Sequence, residues 1–121
     1  MNTKKVVLIY DDDQEILFLC KAILGEIDYR VETLSRCENV LTDIDLLKPA
    51  IILMDLWIPV IGGEKAITII KENPSTKHIP VIVFSANAEI SEISKKIKAN
   101  GYIEKPFDII VLKETIKKYI A

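Results

Sequence analysis

Four apolar runs in this sequence each end in polar residues whose types could act together. Val6 to Tyr10 runs into Asp11-Asp12-Asp13, Ala50 to Met54 into Asp55, Val81 to Phe84 into Ser85, and Tyr102-Ile103 into Glu104-Lys105-Pro106. Two unit charges about 4 Å apart repel by roughly 4 kcal/mol at an effective dielectric of about 20. Converging carboxylates therefore take up a proton or recruit a cation. A small cluster offering only oxygen ligands suits Mg²⁺, which keeps several waters and binds beside phosphates. Lys105 adds a mobile positive charge and Ser85 a hydroxyl donor. Metal, ammonium and hydroxyl together could neutralise the oxygens of a transferring phosphoryl group. The remaining requirement is a nucleophile, and an aspartate carboxylate can form an aspartyl phosphate.

For these ends to meet, the runs must be neighbouring strands. Val6-Val7-Leu8-Ile9 is the continuous β-branched and aliphatic run of a strand buried on both faces. Ile16, Leu17, Leu19, Cys20, Ile23, Leu24 and Ile27 then mark one face of a helix, with Asp13 suited to its N-cap. Tyr29 to Leu34 reads as a strand, and Ser35 or Arg36 to Leu47 as a second helix. Pro49 breaks the chain before the third strand. Gly62 and Gly63 precede a helix carrying Ala66, Ile67, Ile69 and Ile70, and Pro74 lies beyond its end. Pro80 opens the fourth strand. A helix around Ile90, Ile93 and Ile97 leads to Tyr102-Ile103, and Phe107 to Ile120 forms the last helix. Five βα units in series imply a parallel sheet with helices on both faces. The expected fold is α/β, a doubly wound, flavodoxin-like sandwich with strand order 2-1-3-4-5. Ligands bind such sheets outside the carboxyl ends of the strands, where the polar residues stand.

The bulk composition narrows the choice. The 121 residues suit one domain spanning 1–121, and a 50% hydrophobic content supplies a core without metal or disulfide staples. The net charge of -2, from 16 basic and 18 acidic residues, carries no basic run or stripe, so neither nucleic acid nor an anionic membrane is an expected partner. Asp11 ends the first apolar run too early for a signal peptide or membrane span. Cys20 and Cys37 have no metal-ligand spacing, and the chain is read as cytoplasmic with reduced thiols. His78 lies in a polar stretch before Pro80 and reads as an exposed loop residue.

Four segments together resemble the receiver domains of response regulators, the CheY-like phosphoacceptors of two-component signalling. Tyr10-Asp11-Asp12-Asp13 is similar to the acidic pair ending their first strand. Met54-Asp55-Leu56-Trp57-Ile58-Pro59 with Gly63 resembles D-x-x-x-P-x-x-x-G. Ser85-Ala86 matches the Ser/Thr-Ala pair, and Gly101 to Phe107 the G-Y/F-x-x-K-P-F segment. The resemblance covers the whole chain, and four matches in order are specific where one is weak.

It implies that Asp55 is phosphorylated by a histidine kinase or histidine phosphotransfer protein. Mg²⁺ would be bound by Asp12, Asp55 and the Trp57 backbone carbonyl, with Asp11 acting through a metal-bound water. Lys105 would contact the phosphoryl oxygens. Ser85 would move toward the phosphoryl group and Tyr102 turn inward behind it. The surface of helix 4, strand 5 and helix 5 would then change for a protein target, in a monomer or a weak phosphorylation-dependent dimer. In isolation, Ser85 also reads as a cap for the next helix, and Tyr102 as a core-edge aromatic.

Trp57 and Asn87 are the rim positions. An indole at position 57 would shield the acyl phosphate and slow its loss relative to asparagine there. Ile58 stands where the family often has Met, Gly62 replaces its usual Asp or Asn, and the stretch from Ser85 to Lys105 is shorter than usual. No DNA-binding or enzymatic output segment follows the last helix. The chain is therefore expected to act through protein contacts, alone or as a domain cut from a longer protein. It is read as a switch, not a turnover enzyme. A Mg²⁺-dependent phosphohydrolase and a docking module with a vestigial pocket are the competing classes.

Overall fold

The computed structural model describes residues 4–25 and 29–120. Five strands form one parallel sheet in the order 2-1-3-4-5: β1 (Val6–Tyr10), β2 (Arg30–Leu34), β3 (Ile51–Asp55), β4 (Val81–Ser85) and β5 (Gly101–Glu104). Every residue of β3 and β4 is buried, as their unbroken apolar runs require of central strands covered on both faces. This is the doubly wound, flavodoxin-like arrangement read from the sequence.

Helices α1 (Gln14–Gly25) and α5 (Ile109–Ile120) bury Leu17, Cys20, Leu24, Leu112 and Ile116 against one side, with Ile9, Leu53 and Phe84. Helices α2 (Val40–Leu47), α3 (Gly63–Glu72) and α4 (Ile90–Lys96) cover the other. There Ile44, Ile67, Ile70 and Ile90 meet Leu8, Ile52, Met54 and Val83. Each fully buried aliphatic side chain contributes about 1.5–3 kcal/mol, so these two layers hold the strand ends in place.

Several boundaries differ from the expected ones. The second helix begins at Val40, not at Ser35 or Arg36. Asn39 is its N-cap, accepting the Thr42 N–H at 3.2 Å. Cys37 is committed to an isolated parallel bridge with Val60, which keeps it out of the helix expected to start at Ser35 or Arg36. Helix α5 starts at Ile109, after Asp108 accepts the Ile110 N–H at 2.7 Å, so Phe107 precedes it. Tyr29 lies before β2, while β5 is longer than Tyr102-Ile103 at both ends. Gly63 opens α3 rather than preceding it, and Gly62 is the N-cap. Ile27, assigned to the apolar face of the first helix, lies outside the described residues.

Candidate functional site

The parallel register carries the four polar ends to one edge. Tyr10 pairs with Met54, Asp55 with Phe84, and Ser85 with Glu104. One residue beyond Tyr10 and Met54, Asp11 and Asp55 emerge side by side, and the Lys105 N–H follows by donating to the Ser85 carbonyl at 2.9 Å.

Asp11, Asp55 and Lys105 open into a cleft of about 630 Å³ lined also by Asp12, Trp57 and Asn87, among others, while Ser85 does not line it. One carboxylate oxygen from each of Asp11, Asp12 and Asp55 lies within 4.8 Å of the other two. Three hard oxygen donors at that spacing fit a small divalent cation such as Mg²⁺ and offer no soft ligand to a thiophilic metal.

Asp11 is fully buried and doubly engaged. Its Oδ2 accepts from Lys105 Nζ at 2.5 Å, and its Oδ1 accepts the Asp13 N–H at 2.9 Å. Asp12 is exposed at the mouth. Asp13 accepts the N–H groups of Glu15 (2.9 Å) and Ile16 (3.4 Å), the N-cap geometry read from the sequence.

Asp55 lies on the cleft floor, with Lys105 Nζ 3.8 Å from its Oδ1 and the Trp57 N–H donating to the same oxygen at 3.3 Å. Burial holds its pKa above the ordinary carboxylate value. The Lys105 ammonium opposes that shift, the Asp11 and Asp12 charges reinforce it, and the Trp57 N–H counters it. Folding thus disfavours an anion at Asp55, and a cation beside it would relieve that.

Lys105 is held from below as well, its Nζ 4.8 Å from the centroid of the Phe84 ring. Phe84 was legible in the sequence only as a core residue, because nothing in a strand pattern says which ring lies beneath a lysine at the end of another strand. Gly63, named in the sequence as the glycine closing the D-x-x-x-P-x-x-x-G segment, contributes by having no side chain. A Cβ there would collide with the Asp55 carbonyl oxygen and with Leu56 Cα at 2.6 Å, so only glycine lets α3 start this close to Asp55.

The other candidates are placed as follows. Trp57 is 73% exposed at the rim, with Asn87 half-buried opposite. Ser85 is buried beneath the rim, and its Oγ accepts the Asn87 N–H at 3.1 Å. That bond closes the β4–α4 turn; it does not cap α4, which starts five residues later behind Glu89. Tyr102 is 45% exposed on the edge strand and is not among the residues lining the cleft.

A family model described as the response regulator receiver domain matches residues 7–117. The chain belongs to the response-regulator receiver family. This receiver is 32% identical to the polar-differentiation response regulator DivK of Brucella anthropi, over 97% of both chains. It is 30% identical, over 94% of its length, to a Vibrio cholerae protein named a probable cyclic di-GMP phosphodiesterase, of which it spans 26%. Among solved structures, a CheY-like receiver domain protein of Methanospirillum hungatei superposes with a TM-score of 0.86 at 28% identity, covering 98% of this chain and 94% of the other. The receiver domain of the Pseudomonas aeruginosa sensor histidine kinase PA1611 superposes at 0.86 with 23% identity, covering 98% of each, and that protein holds magnesium in its active-site cleft.

Proposed function

We propose that this two-component receiver takes a phosphoryl group on Asp55 from a histidine kinase or phosphotransfer protein, with Mg²⁺ bound at Asp11, Asp12 and Asp55. The observation that carries it is the grouping of three carboxylates within 4.8 Å of one another, with Lys105 Nζ 3.8 Å from Asp55. A carboxylate oxygen of Asp55 attacks phosphorus as the P–N bond of the donor's phosphohistidine breaks, and the imidazole nitrogen leaves with the electron pair of that bond and takes a proton from solvent. Asp55 ends as an acyl phosphate. Asp12, Asp55 and the Trp57 carbonyl would hold Mg²⁺ directly, with Asp11 acting through a metal-bound water, and the ion would supply charge neutralisation for the phosphoryl oxygens.

Lys105 can supply its positive charge to the same oxygens from its position above Phe84. The Ser85 hydroxyl, bonded only as an acceptor, keeps its proton free to donate toward a phosphoryl group. Trp57 covers one side of the mouth and limits water's approach to the acyl phosphate, with Asn87 facing it. Tyr102 turns inward as Ser85 moves, altering the α4, β5 and α5 surface for a protein target. The protein acts in the cytoplasm, in keeping with the free buried thiols of Cys20 and Cys37. No helix among the described residues is long and apolar enough to cross a membrane.

The test is incubation with Mg²⁺ and acetyl phosphate, or with a competent kinase, followed by intact-mass analysis. A single phosphoryl adduct, absent from Asp55→Asn and from samples with chelator, is the expected result. No adduct from either donor, or sustained turnover of unrelated phosphate esters, overturns the proposal.

A further inference from the structure

Tyr10 immediately precedes Asp11, and its ring is fully buried at the end of β1. A phenol in such a place needs a partner for its hydroxyl. The partner comes from another element: the hydroxyl donates to Asp43 Oδ2, in the first turn of α2, at 2.6 Å. Asp43 is held a second time, its N–H donating to the carbonyl of the N-cap Asn39 at 3.2 Å.

Just before that cap, Cys37 grips the loop that follows Asp55. The Cys37 N–H donates to the Pro59 carbonyl at 3.1 Å, and its carbonyl accepts the Ile61 N–H at 3.2 Å. At the start of the same segment, the Leu34 carbonyl accepts the Asp11 N–H at 3.1 Å. Residues 34–43 therefore touch both acidic strand ends, one through Asp11 itself and the other through the loop after Asp55.

Between the two Cys37 bonds sits Val60, at φ 85. A β-branched residue avoids that region, and this one is 60% exposed, so burial does not hold it there. The bridge to Cys37 does.

We propose that residues 34–43 form a strap that positions the phosphoacceptor loop, locked by the Tyr10–Asp43 hydrogen bond. Tyr10, Cys37 and Asp43 do not line the cleft; they are positioning residues. The strap determines where the Trp57 carbonyl and Asp55 stand relative to Asp11 and Asp12. Its loss weakens magnesium binding more than the transfer step at saturating magnesium. This inference rests on the proposed function for its chemical consequence, but not for the existence of the strap.

The test compares the parent with Tyr10→Phe, Asp43→Ala and Asp43→Asn, each first checked for native circular dichroism. Both Asp43 variants remove the charge, and only asparagine keeps an acceptor for the Tyr10 hydroxyl. Amide exchange by NMR reads the strap directly. The Cys37 and Ile61 amides exchange about five-fold faster or more in Tyr10→Phe and Asp43→Ala, with Asp43→Asn near the parent. Magnesium titrations followed by Trp57 fluorescence show Kd raised by a similar factor in the same two variants, with adduct formation at saturating magnesium little changed. Unchanged exchange at both amides, or an Asp43→Asn variant as impaired as Asp43→Ala, overturns the inference. Faster exchange with unchanged magnesium Kd overturns the strap's role at the site. A parent that binds no magnesium and forms no adduct overturns the proposed function and that role together, while exchange still decides whether the lock exists.

Discussion

At the scale of residues, the site is governed by how uncomfortable one carboxylate is. Asp55 is pushed upward in pKa chiefly by burial, so folding disfavours its anion. A group raised in this way gives its full stability below the unfolded pKa, about 3.9 for Asp, and loses it as pH rises through the folded value. Asp55→Asn removes the penalty. In chelator at pH 7 the variant therefore melts above the parent, and the gap narrows as pH falls toward about 4. Equal melting temperatures at pH 7 would remove the basis for this reading. The same discomfort makes Asp55 receptive to a cation. Asp11, Asp12, Asp55 and Lys105 were visible in the sequence as polar residues closing apolar runs. What the runs did not reveal is that Asp11 is fully buried and bound to Lys105, while Asp12 stands open at the mouth.

At the scale of elements, the loops at the strand ends carry the constraint. Gly62 at φ 80 and Val60 at φ 85 both lie between Asp55 and α3. Glycine takes that conformation freely, but a valine costs about 1–2 kcal/mol. Val60→Asn, which tolerates the left-handed region, is expected to stabilise the protein by about 1 kcal/mol. The check is a urea midpoint that rises with an unchanged slope. A midpoint at or below that of the parent would mean Val60 bears no strain. The late start of α2 belongs to the same region. Ser35 to Leu47 has a helical apolar pattern, yet Cys37 is drawn out of it by two backbone bonds to a loop more than twenty residues away in sequence. Local periodicity cannot register a partner at that distance.

At the scale of the whole molecule, binding at the acidic edge must feed back on folding, because the three carboxylates meet only in the native sheet. Magnesium at about one hundred times its Kd is expected to add about 2.7 kcal/mol. For a domain of this size that raises Tm by roughly 10 °C. The shift should vanish in Asp12→Ala, and thermal unfolding with and without the metal measures both; an equal shift in that variant would place the ion elsewhere. The sequence by itself determined the sheet order, the two-sided core and the edge on which the polar residues stand. The two-sided core follows from solvent exclusion, which acts on every residue and leaves a period in the chain, and the order from the crossover rules for five βα units in series. Tertiary structure alone decided that Phe84 lies under Lys105 and that Tyr10 reaches Asp43. Each is one contact between distant residues, set by register and helix placement, and a single contact leaves no period to read.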